Sequence, residues 1–187
     1  MARWVSHRVT IDLPSRKLAR NRKAWGGIDP HLDIELYEAG ALPIAIESKF
    51  CEPYYAGTKT LKKAYIAEDV ADNICGGLSK CRELAERLTD ENPFRYLDAA
   101  QLLKHVVGLR NEYGESNFVL MYLWYEVPGE EAERHREEMK DFWELVTPEV
   151  DFRALTYQEL FKRVVDKAEN DDEYIAYMRE RYFPELS

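Results

Sequence analysis

The chain is poor in several features that would each define a function class. Its three cysteines, Cys51, Cys75 and Cys81, are odd in number and irregularly spaced, which does not make a disulfide framework. Three thiols also fall short of the four that an iron–sulfur cluster normally takes. With no Cys-x-x-Cys and four scattered histidines, a zinc site has no ligand set either. No apolar run reaches the ~18 residues of a membrane span, so no membrane contact is expected. The opening MARWVSHRVT has no apolar core of signal-peptide length, and the expectation is a cytoplasmic protein with reduced thiols. No expected strand runs into G-x-G-x-x-G or a P-loop, which excludes a doubly wound nucleotide fold. The absence of G-x-S-x-G, and of any plausible Cys/His pairing, removes the common hydrolase triads.

What is present fits one α/β (α+β) domain over residues 1–187. Hydrophobic content of 45% with 33% charged residues is ordinary for a globular chain of 187 residues. The net charge of -9 argues against a protein that simply coats nucleic acid. Charge is uneven, however. Residues 1–23 hold seven Lys and Arg against Asp12, a sum of +6, which leaves -15 for the remainder. A basic N-terminal helical segment (1–25) on an acidic body can touch phosphate or another acidic partner, or can be a solvated helix face.

Periodicity gives the elements. PSRKLARNRKA (14–24) reads as a helix that Gly26-Gly27 ends. Residues 31–37 alternate, with Leu32, Ile34 and Leu36 on one face and Asp33 and Glu35 on the other. After a turn at 38–40, residues 42–50 return as the second strand of a hairpin. A mixed, partly helical region from Tyr55 to Leu88 is broken at Gly76-Gly77. A helix over 97–113, after Asn92-Pro93, carries Leu97, Ala100, Leu103, Val106 and Val107 and stops near Gly114. Residues 117–127 read as a long buried strand whose aromatics need no ligand. A helix then runs to about Val146, with Met139, Phe142, Trp143 and Val146 inward. A short strand spans 150–155, and a Thr156/Glu159 capping box opens C-terminal helices over 156–183. The expected architecture is a central mixed sheet flanked by helices.

One pattern carries chemistry. Side chains repeat every two residues along a strand, so Ala45, Glu47 and Lys49 share a face, as do Asp33 and Glu35. In a hairpin, Asp33 can lie beside Glu47 with Lys49 one step further. Ionised groups at the end of a buried strand cost several kcal/mol, on the order given for unpaired charges, unless paired or metal-bound. Carboxylates are hard ligands suited to Mg²⁺ or Mn²⁺, which activate water and neutralise charge on a phosphodiester. A lysine beside them orients that water or stabilises the transition state. A cross-strand ion pair on a half-exposed sheet is the competing reading.

An Asp, 13 intervening residues, and Glu47-Ser48-Lys49 on the next strand resemble the PD-(D/E)XK nuclease superfamily, the restriction-endonuclease-like fold. The resemblance covers residues 14–127 in architecture, but its specific motif is Asp33, Glu47 and Lys49. It implies that Asp33 and Glu47 bind metal, that the Ser48 carbonyl joins the metal shell, and that Lys49 assists hydrolysis. Asp33 is preceded by Leu32 where the superfamily pattern has proline; the nearest Asp-Pro is Asp29-Pro30, just before the strand. Glu35 is a spare carboxylate that can assist a second metal or face solvent, with solvent favoured. A second E-x-K, Glu138-Met139-Lys140, sits mid-helix and reads as a solvated face.

Further candidates surround this motif. Gln101 and His105, four apart on one helix face, can present polar groups to a scissile phosphate or form the polar edge of a packed helix. Lys59, Lys62 and Lys63 can neutralise phosphates while Tyr54 and Tyr55 stack on bases; ordinary surface lysines are the rival reading. The expected function is thus a Mg²⁺- or Mn²⁺-dependent nuclease, with DNA favoured over RNA as substrate. The acidic body implies a local basic groove, a homodimer or a partner subunit. The alternative is an inactive nuclease-like domain serving as a structural or interaction module.

Overall fold

The computed structural model describes residues 34–36, 40–57, 59–62, 77–115, 117–167 and 173–184. Its elements in chain order are strands β1 (Ile34–Leu36) and β2 (Ile44–Lys49), a 3-10 turn (Glu52–Tyr54), and helices α1 (Ser79–Asp90) and α2 (Ala99–Tyr113). Then follow β3 (Val119–Trp124), α3 (Glu130–Val146), β4 (Asp151–Thr156), α4 (Tyr157–Val165) and α5 (Glu173–Tyr182). The expected N-terminal helix over 14–24, its Gly26-Gly27 stop and Gly76 lie outside the described residues.

Among the described residues, four strands form one mixed sheet in the order β1-β2-β3-β4. β1 and β2 are antiparallel, with Ile34 opposite Ile46 and Leu36 opposite Ile44, as expected of the hairpin. β2, β3 and β4 are mutually parallel, so Lys49, Trp124 and Thr156 end the three strands at one edge. Parallel neighbours require crossovers, which the helices between the strands supply.

Alternation sorts the side chains onto two faces. Ala45, Leu120, Tyr122, Trp124 and Phe152 enter the main core with Leu84 and Leu88 of α1, Leu103 and Val106 of α2, and Phe142 and Val146 of α3. The opposite face is smaller: Ile46, Leu123 and Leu155, with Leu36, Ile44, Met121 and α4's Leu160 packed against them. β3 lies between two parallel neighbours with both faces covered, which is why VLMYLW is an unbroken apolar run rather than an alternating one.

Helix ends differ from the expected ones for local reasons. α2 begins at Ala99, two residues late, because the Asp98 carboxylate accepts from the Gln101 N–H and fixes the start. It ends at Gly114, whose φ of +86° is the left-handed region that glycine occupies without a Cβ penalty. The Thr156/Glu159 capping box forms in both directions, as expected.

Two expectations on α3 are corrected. Trp143 does not face inward: it is 45% exposed, while Phe142 takes the core position. Glu138 is not a solvated side chain either. It is half-buried, and its carboxylate accepts from the backbone N–H groups of Arg95, Tyr96 and Leu97, each at 2.8 Å. Glu149 does the same for the first turn of α1, accepting from Ser79 Oγ and from the N–H groups of Lys80 and Cys81. Burial draws the Glu149 carboxyl upward, but these donors outweigh it and hold the group below its ordinary value.

Candidate active site

β2 explains how a charge comes to lie inside the sheet. Its odd-numbered positions, Ala45 and Glu47, face the main core, and Lys49 follows them at the strand's carboxyl end. Glu47 is therefore 1% exposed, among the most deeply buried side chains described. A carboxylate there must be neutralised or compensated. Two cations or donors compensate it. His105 of α2, itself 2% exposed, has Nε2 2.8 Å from Glu47 Oε2. Lys49 Nζ lies 2.5 Å from Glu47 Oε1. Burial pulls the Glu47 carboxyl upward, but hydrogen bonds from His105 and Lys49, and their charges, overcome it; the net direction is below the ordinary carboxylate value.

The next strand continues the polar character. Tyr122 pairs with Glu47 across the β2–β3 ladder and is buried, and its hydroxyl meets His135 Nε2 at 3.0 Å. Burial first, and the Glu47 charge second, push the Tyr122 phenol well above its usual value. His135 is wholly buried on α3, and burial pushes it down to about 4. Rings enclose it: Trp124 and Tyr54 lie edge-on at 5.6 and 6.0 Å.

Of the residues singled out in the sequence, Glu47, Lys49 and His105 are brought together. Asp33 and Lys63 lie outside the described residues. The Ser48 side chain points to the opposite face, where its hydroxyl meets Tyr157 Oη at 2.6 Å. Gln101 sits one turn before His105 and is partly exposed. Glu35 lies opposite Ala45 and is half-buried. Lys59 pairs with Asp98, the α2 cap, at 3.1 Å; Lys62 is exposed. Tyr54 is partly buried and donates to the Tyr125 carbonyl at 2.6 Å, whereas Tyr55 is 74% exposed. Among the described residues, no group of three or more His, Cys, Asp or Glu side chains is arranged to hold a metal ion. None of the described helices is long and apolar enough to cross a membrane.

Two features escaped the sequence reading. One is the Tyr122–His135 pair: a tyrosine within an apolar strand and a histidine in a charged helix carry no local signal of each other. The other is Phe50, 52% exposed and stacked on Tyr157 with ring centroids 4.7 Å apart. Its position directly after Lys49 was the available hint. Phe50 and Tyr157 each follow the last residue of a strand that ends at the same sheet edge.

A family model described as restriction endonuclease associating with ARP matches residues 21–183, 163 of the 187 in the chain. Neither the curated proteins nor the solved structures contain a match.

Proposed function

We propose that this chain, which belongs to the family described as restriction endonuclease associating with ARP, is a metal-dependent nuclease of the PD-(D/E)XK type that hydrolyses phosphodiester bonds in DNA. The observation that carries the proposal is the Glu47 carboxylate, buried on a strand and gripped by His105 and Lys49. An ordinary surface ion pair would not be buried in this way, which weighs against the rival reading of a half-exposed cross-strand pair. The family match likewise gives no support to an inactive interaction module.

The donor chemistry fits a hard divalent cation. A carboxylate offers about four lone-pair sites, and His105 and Lys49 engage one oxygen each, so Glu47 keeps capacity for a ligand bond. Asp33 is the proposed second carboxylate, because it precedes Ile34 in the chain as Glu47 follows Ile46, and those two residues are partners in the β1–β2 ladder. The Ser48 carbonyl is the proposed accessory ligand. Mg²⁺ or Mn²⁺ held there supplies an activated water and offsets charge developing on the phosphodiester.

The chain's own residues do the rest. Glu47, kept ionised by its two partners, retains the charge a cation needs. Lys49, at the end of β2 and 17% exposed, stands between the buried carboxylate and the outside, suited to orient the attacking water. Lys59, Lys62 and Lys63 are proposed to neutralise phosphates, and Tyr54 and Tyr55 to stack on bases; of the two tyrosines, Tyr55 has the exposed ring for it. The family description also names association with ARP, and we take ARP as the partner expected of this chain.

The test is cleavage of single- and double-stranded DNA and RNA with Mg²⁺, Mn²⁺ or EDTA, beside Lys49→Ala. Metal-dependent cutting of DNA that drops at least ~100-fold in the variant is expected, an effect in the range of lost transition-state electrostatics. Cutting that survives Lys49→Ala, or proceeds in EDTA, refutes the reading.

A further inference from the structure

We propose that His105 is a positioning residue, which acts through Glu47 by fixing which carboxylate oxygen faces the cation. The inference rests on the metal-site reading above and goes beyond the expectation that His105 faces a scissile phosphate. His105 and Glu47 are 58 residues apart in sequence, on different elements, yet meet at 2.8 Å with side chains 3% and 1% exposed. Such a contact ties α2 to β2 at one atom pair. It removes the rotation that an otherwise unrestrained carboxylate would have about its terminal torsion.

The surroundings show that His105 is not there to fill space. It stands in α2 among Leu102, Leu103, Val106 and Val107, all buried and apolar. A leucine would continue that row. The imidazole instead leaves Nδ1 buried with no hydrogen-bond partner among the described residues. A buried polar atom without a partner is costly, because it has given up its hydrogen bonds to water. What the histidine provides in return is a single directed contact from Nε2 to Glu47 Oε2. Lys49 engages the other oxygen from the strand's open end. The carboxylate is thus held from the core side by a rigid group on a packed helix, and from the exposed side by a flexible one. Groups beyond the ligands that orient a metal-binding side chain typically change metal affinity 10- to 100-fold when removed.

The experiment is Mn²⁺ titration by calorimetry of the wild-type chain, His105→Gln, His105→Asn and Glu47→Gln, with folding checked by circular dichroism. The amide nitrogen of glutamine reaches to the place of Nε2, whereas that of asparagine is one methylene short. Wild type and His105→Gln are expected to bind within about threefold of each other, and His105→Asn about 10- to 100-fold more weakly. Glu47→Gln is expected to bind no Mn²⁺. His105→Leu, which suits the apolar row, takes the place of the asparagine variant should that one lose its fold. Equal affinity in wild type and a folded Asn or Leu variant overturns the positioning role and leaves the metal site standing. So does a glutamine variant as weak as asparagine. A wild-type chain that binds no Mn²⁺ overturns the metal reading itself, and the positioning role falls with it.

Discussion

His135 makes stability depend on pH because it stays neutral when buried. Burial pushes it down to about 4 from an ordinary 6.5, so between those values the unfolded chain binds a proton that the folded chain refuses. Stability is then full above about pH 6.5 and falls as pH drops toward 4. The difference between 6.5 and about 4 is worth ~3 kcal/mol, a large share of a typical domain's stability. Urea unfolding at pH 7 and pH 5 should show wild type losing stability over that interval. His135→Gln, which cannot protonate and still offers Tyr122 an acceptor, should show a flatter dependence. An equal slope in both would place the pH sensitivity elsewhere. Glu47 acts in a separate window: its carboxyl is held low, so its contribution is present above the ordinary carboxylate range and is lost only in stronger acid. At this scale the sequence was partly legible. Glu47 and Lys49 could be found because a strand repeats every two residues. That His105 would meet Glu47 could not, since nothing local encodes which turn of a helix crosses which strand position.

The elements were legible where one period dominated. β2, β3, α3 and β4 lie within about three residues of their expected ends because their apolar patterns run uninterrupted between turn signals. Errors arose where a side chain reached across the fold. Glu138 looks like a solvated helix residue because helical periodicity describes only its own helix; the donors it satisfies belong to the 95–97 loop, 41 to 43 residues away. Trp143, expected inward together with Phe142, is exposed, while Phe142 keeps its core place. The Glu138 contact has a consequence for stability. Three backbone donors lose a charged acceptor in Glu138→Ala; hydrogen bonds to charged groups contribute about 1.5–3 kcal/mol each net of water, and these three share one carboxylate. Partial exposure lowers the expected cost to about 2 kcal/mol. Hydrogen exchange at Tyr96 and Leu97 should accelerate in step with the loss of thermal stability. Unchanged protection there would mean the loop is held by its apolar residues, Phe94 and Leu97, alone.

On the scale of the whole molecule, the mixed sheet and its helices place a buried carboxylate, a lysine and a histidine at one end of a strand. A match over residues 21–183 assigns the chain to a restriction-endonuclease family. The fold class could be read from the order of periodic segments. The site could be read only in part: Glu47 and Lys49 follow from the strand repeat, whereas the crossing of α2 over β2 that brings His105 to Glu47 has no local signal. Asp33 and Glu47 are proposed to hold the catalytic cation together, and that is tested most directly by DNA cleavage by wild type, Asp33→Asn and Glu47→Gln over a range of Mn²⁺ concentrations. Wild type is expected to cut with Mn²⁺ and not with EDTA, and each variant, folded by circular dichroism, to lose at least ~100-fold in rate even at the highest Mn²⁺. Either variant cutting at the wild-type rate would contradict it.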